Sequence, residues 1–182
     1  MGIDSYIGAV IEREGGYTNN PADSGGETIW GITSAVARAY GYAGPMKNMP
    51  RDVAVSIYRN RYWTSPRLDQ VDAIDPALAE KLFDVGVNMG PATGIAFLQR
   101  ALNVLNLRGT TFIDLVVDGA IGPMTVAALN AFYGARGPEG RQVVLGMVRA
   151  QQSVRYVELA ERNPDLELFE YGWQLNRALG VV

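Results

Sequence analysis

Histidine and cysteine are both absent from the 182 residues of this chain. Without imidazole or thiolate there is no Ser-His-Asp triad, no Cys-His nucleophile pair and no zinc site built on the usual nitrogen and sulfur ligands. Carboxylates are what remains for acid and base chemistry. Disulfides are excluded as well, which suits cytosolic synthesis and leaves the protein indifferent to a later move into an oxidising compartment. Positive charge is not in excess: 16 Lys and Arg stand against 19 Asp and Glu, for a net charge of -3. That balance provides no basic footprint for a phosphate backbone, so nucleic acid is not an expected partner. No apolar run approaches the roughly 20 residues of a membrane-spanning helix, and the opening MGIDSYIGAVIEREGG has neither a basic leader nor a signal-peptide core. The expectation is synthesis in the cytoplasm without a signal peptide, and no membrane insertion.

What is present is mostly helical periodicity. The chain length and a hydrophobic content of 48 % predict one compact unit over residues 1–182. Ile3, Ile7, Val10 and Ile11 recur at helical spacing and stop before Gly15-Gly16, so the chain opens with an amphipathic helix ending near Glu14. Turn residues dominate from there to Gly26, and TIWGIT is the one place for a short strand pairing. Helical patterns return from Ser34 to Tyr40, from Arg51 to Trp63, from Asp75-Pro76 through LAEKLFDVGVNMG, and after Pro91 through Ile95, Leu98, Leu102 and Leu105. The last two are expected to form a buried pair. A short helix after Gly122-Pro123, then helices over Glu139 to Arg162 and Leu166 to Leu179, complete a mainly α fold with at most a small β-hairpin. The loop from Leu107 to Phe112 is a candidate seam between halves.

Two carboxylates stand out in EGGYTNNPADSGGETIWGIT, from Glu14 to Thr33. Steps of four, three and four carry Ile3 to Ile7, Val10 and Glu14, which predicts that Glu14 continues the inward stripe of the first helix. Desolvation there would raise its pKa and let it hold a proton as a general acid. Asp23 lies in PADSGG, where turn amides and water favour the ionised form. One protonated and one ionised carboxylate on either side of a scissile bond is the arrangement used in glycoside hydrolysis. Thr28 would help to position water or substrate, whereas Glu27 alternates to the other side of the strand. The same residues also read simply as turn formers and helix-end ligands.

The stretch from Glu14 to Thr33 resembles the signature of the glycoside hydrolase family 108 murein hydrolases, phage endolysins and their bacterial relatives. The resemblance implies Glu14 as the catalytic acid. The order Glu, Asp, Thr also looks like the active site of phage-type lysozymes, which implies a lysozyme-like helical fold with Asp23 and Thr28 as partners. FDVGVNMG is similar to a second block of the family and implies Asn88 as a substrate contact. VDGAIGPMTVAAL looks like its peptidoglycan-binding C-terminal region; there Asp118 and Thr125 read as a turn former and a helix-start residue. Residues 1–90 would then be catalytic and residues 91–182 a helical wall-binding part.

Sugar clefts place aromatic faces against rings and amides against hydroxyls, so Tyr17, Trp30, Tyr62, Trp63 and Asn88 are candidates. Each aromatic also reads as core packing, Tyr17 and Trp30 least so because they lie inside the acidic motif. By the resemblance, the reaction is hydrolysis of the β-1,4 link between N-acetylmuramic acid and N-acetylglucosamine. No metal or cofactor is implied, and the setting is a monomeric phage or prophage product that reaches the periplasm through a holin or an equivalent route. A lytic transglycosylase and a non-catalytic wall-binding module are the alternatives.

Overall fold

The computed structural model describes residues 2–19 and 26–179, and the chain falls into two compact units, Met1–Ser65 and Pro66–Val182. It is mainly α-helical, and the sheet found among the described residues is a single antiparallel pair.

The first unit begins with α1 (Ile3–Glu14), which buries Tyr6, Ile7, Val10 and Ile11. Gly15, at φ 79°, ends it in a conformation that a side chain disfavours. Two short strands follow, β1 (Thr28–Ile29) and β2 (Ile32–Thr33), paired Thr28 to Thr33 and Ile29 to Ile32. The connecting residues Trp30 and Gly31 both have positive φ, 54° and 72°. Two consecutive left-handed residues define the tight turn whose twist matches that of a hairpin. Thr33 caps α2 (Ser34–Tyr40), its hydroxyl oxygen accepting from the Val36 N–H at 3.4 Å. Gly41 in the left-handed region closes that helix, as the sequence predicts. α3 (Arg51–Arg59) starts after Pro50 and continues into a π-helical turn, Asn60–Thr64. The expected Arg51 to Trp63 helix is thus present, with its last turn widened. The guanidinium of Arg59 at the end of α3 pairs with Asp4 of α1.

The second unit runs through α4 (Leu68–Asp72), α5 (Pro76–Met89), α6 (Pro91–Leu105), α7 (Pro123–Arg162) and α8 (Glu167–Trp173), with a closing π-helical turn, Gln174–Ala178. α5 begins where Asp75-Pro76 predicts, because the buried Asp75 carboxylate accepts from the Leu78 N–H and from the Tyr133 hydroxyl. Leu78, Leu82 and Val85 of α5 and Ile95, Leu98 and Leu102 of α6 are fully buried, as expected of a core helix pair. Truncating such a leucine to alanine costs about 2–5 kcal/mol. The short α4 carries too few periodic residues to announce itself. α7 joins the two helices read from the sequence and bends at Gly137-Pro138, where Gly137 is non-helical and Pro138 lacks an N–H donor. The Leu107 to Phe112 loop lies inside this second unit, and Asn106 ties it down through the Gly109 N–H and the Asp114 carboxylate. The buried Gln99 holds the VDGAIG loop by accepting from Gly119 N–H and donating to Asp118 and the Ala120 carbonyl. Asp118 accepts from the Ala120 N–H as well, which makes it a turn former.

Candidate active site

The end of α1 and the hairpin turn meet at Glu14. An added Cβ on Gly31 would lie 2.9 Å from Glu14 Cγ, 3.1 Å from Glu14 Cβ and 2.6 Å from the Tyr58 hydroxyl oxygen. The turn backbone therefore packs directly on the stem of the carboxylate, and only glycine leaves that space. Tyr58 is buried and donates to the Trp30 carbonyl at 3.0 Å, holding the turn from below. Burial raises the Tyr58 pKa above that of an ordinary phenol, and the nearby Glu14 carboxylate adds to the shift. The phenol stays neutral and remains a donor. The Trp30 indole N–H reaches the Met49 carbonyl at 3.5 Å. A tryptophan in the left-handed region costs roughly 1–2 kcal/mol, so the turn persists because Gly31, Tyr58 and Met49 hold it there.

Glu14 departs from the sequence expectation in one respect. It is solvent-exposed and does not continue the buried stripe: α1 stops at Gly15, and the Gly31 turn packs on its stem without burying the residue. Burial is therefore no basis for its acting as an acid; its position under a rigid turn is what distinguishes it. Asp23 lies outside the described residues. Thr28 is half-buried on β1, its hydroxyl donating to the Gly26 carbonyl at 3.3 Å while its backbone pairs with Thr18. Tyr17 is exposed and donates to Glu27 at 2.6 Å, a bond to a carboxylate that raises the phenol's pKa. Glu27, set aside in the sequence reading, thus orients the aromatic ring next to the acidic motif.

Trp30 is half-buried at the turn, so Glu14, Thr28, Tyr17 and Trp30 all sit on or beside the hairpin and its flanking helix end. Trp63 does not serve as a surface platform. At 6 % exposure its ring belongs to the core, where the widened turn after α3 carries it inward. Asn88 belongs to the second unit, where its amide donates to the Asp84 carbonyl and carboxylate and accepts from Arg177. Sequence reasoning missed Tyr58 and Gly31. The clue for Gly31 was its place in TIWGIT; nothing local marks Tyr58, whose role arises from a contact across the unit.

Residues 7–90 match the family model described as Glycosyl hydrolase 108. This part of the chain is a glycosyl hydrolase 108 region. Residues 93–178 match a second model, described as Predicted Peptidoglycan domain. Among solved structures, Brucella abortus SagA is similar at a TM-score of 0.67 and 24 % identity, over 97 % of this chain and 88 % of that one. At that identity the likeness is one of fold. No curated protein matches the chain. Glu14, Tyr17, Thr28, Trp30, Gly31 and Tyr58 all lie within the glycosyl hydrolase 108 region, and α6 and α7 lie within the peptidoglycan-domain match. The two matches together make the protein a peptidoglycan-related glycoside hydrolase. No helix among the described residues is long and apolar enough to cross a membrane.

Proposed function

We propose that the protein is a lysozyme-type N-acetylmuramidase, cleaving the β-1,4 bond between N-acetylmuramic acid and N-acetylglucosamine with Glu14 as the acid. The observation that carries this reading is the packing of the Gly31 turn on the Glu14 stem inside the glycosyl hydrolase 108 region. A general acid must be held within hydrogen-bond reach of the leaving oxygen, and a side chain wedged under a backbone turn has few places to go. Glu14 is exposed in the free protein, so in this reading a bound glycan itself excludes water from the carboxyl. Asp23 then assists the attacking water, with Thr28 positioning it, and Tyr17 and Trp30 offer ring faces to the sugars.

In this reading residues 1–90 are catalytic and residues 91–182 hold the wall, supported by the two family matches on either side of Gly90–Pro91. The enzyme acts as a monomer in the periplasm, as a phage or prophage endolysin.

A lytic transglycosylase would need only one acid and would form an anhydro sugar without water. Digestion of purified peptidoglycan in 18O-labelled water separates the two. A muramidase places the label in every new reducing end and loses most of its rate in Asp23→Asn. Unlabelled anhydro products, with Asp23→Asn as fast as wild type, would refute the hydrolase reading.

A further inference from the structure

A groove of about 680 Å³ in the second unit runs between α6 and α7 under the loop from Val117 to Gly119. Ala92, Ala96 and Arg100 of α6 face Ala150, Gln151, Val154 and Arg155 of α7, each set at helical spacing and so on one face. Three alanines make the walls narrow and apolar. The Gly119 loop closes down so tightly that a Cβ there would sit 2.8 Å from the Ala92 carbonyl oxygen.

Charge of both signs lines this groove. Arg155 pairs with Glu158 at 3.0 Å, whereas Arg100 is exposed and has no carboxylate partner among the described residues. Asp118 is exposed, and hydrogen bonds from Gln99 and the Ala120 N–H keep its carboxyl ionised and fixed. Gln151 donates to the Phe97 and Met147 carbonyls, which leaves its own buried carbonyl oxygen without a donor. A buried acceptor left unmatched costs about 1–3 kcal/mol. The one aromatic ring of the lining, Phe97, is 6 % exposed, so there is no platform for a sugar face.

We propose that this groove binds the short stem peptide of bacterial peptidoglycan, with a stem carboxylate on Arg100, peptide N–H groups or an ammonium toward Asp118, and alanine methyls against the alanine walls. In the intact wall the lactyl carboxyl of each muramic acid is tied up in the amide to the stem, so the strand itself is uncharged and suits the groove poorly; the stem is a chain of small residues carrying carboxylates. This inference rests on the wall-binding reading of residues 91–182 and names the part of the wall that they recognise.

The test uses the full chain carrying Glu14→Gln, so that the wall is not digested, and three probes: the tetrapeptide L-Ala-γ-D-Glu-meso-diaminopimelate-D-Ala, intact sacculi, and an uncharged β-1,4-linked N-acetylglucosamine oligomer. The tetrapeptide is expected to shift the amide resonances of Gly119 and Gln151. Ala150→Trp, which fills the groove, and Arg100→Glu should each weaken peptide binding by about tenfold or more and reduce sacculus binding in parallel. If Ala150→Trp disturbs the fold by circular dichroism, Arg100→Glu, at an exposed site, carries the comparison. Sacculi and the glycan oligomer bound equally well, with no response to tetrapeptide, would overturn the stem-peptide inference and leave wall binding intact. Failure to bind sacculi at all would remove the wall-binding reading and this inference with it.

Discussion

Replacing Gly31 with alanine probes the contact on which the candidate site depends. Two costs arise together. At φ 72° an alanine is strained by about 1 kcal/mol. Its Cβ would also stand 2.6 Å from the Tyr58 oxygen and 2.9 Å from Glu14 Cγ, so both side chains must retreat. Moving Tyr58 breaks its 3.0 Å bond to the Trp30 carbonyl, a further loss of about 1 kcal/mol. The expected loss of stability, read from urea unfolding, is about 2 kcal/mol. The effect on rate should be larger, because misplacing a catalytic group by about 1 Å can cost on the order of 100-fold. Gly41→Ala is the control: its φ is 101°, but nothing lies within 4 Å of the added carbon. It should lose about 1 kcal/mol to backbone strain and keep its lytic rate against purified sacculi. If Gly31→Ala lysed walls as fast as Gly41→Ala at matched folded concentration, the turn would have no part in placing Glu14.

Tyr58→Phe should cost about 1 kcal/mol in urea unfolding and lower activity less than Gly31→Ala does, since the ring stays and only the hold on the Trp30 carbonyl is lost. Asp75→Ala removes both the cap of α5 and the acceptor of the 2.7 Å Tyr133 bond, and chemical denaturation should show a loss of about 2–4 kcal/mol. Tyr156 is raised to about 12, chiefly by burial and then by the Asp84 charge, so its neutral form is favoured in the folded state. Its contribution to stability is complete below pH 10, where the unfolded phenol begins to ionise, and is lost as pH rises toward 12. Tyr156→Phe should flatten that alkaline decline in thermal melts.

Much of the fold was legible because its signals are local. Asp75-Pro76 carries its own cap, Gly41 its own left-handed stop, and the bend of α7 falls where Gly137-Pro138 interrupts the helical pattern. The acidic motif was legible by order, and Glu14 does close α1. What could not be read depends on partners distant in sequence. Periodicity assigns Glu14 to the buried face, but burial depends on what packs over it, and the Gly31 turn touches its stem while leaving the residue exposed. Trp30 in the left-handed region contradicts its own propensity, and the Tyr58 hydroxyl that helps to hold it lies 28 residues away. Trp63, a sugar-platform candidate outside the acidic motif, is carried into the core by the widened turn after α3. The α6–α7 groove lay beyond a motif search, since its floor is plain alanine and its charges come from three separate segments.

The central claim, that Glu14 is the proton donor, is tested most directly by counting new reducing ends released from purified peptidoglycan by wild-type protein and by Glu14→Gln at equal folded concentration. The account predicts a fall of about 10²- to 10⁴-fold in the variant, the range for loss of a general acid. Release at the wild-type rate would contradict it.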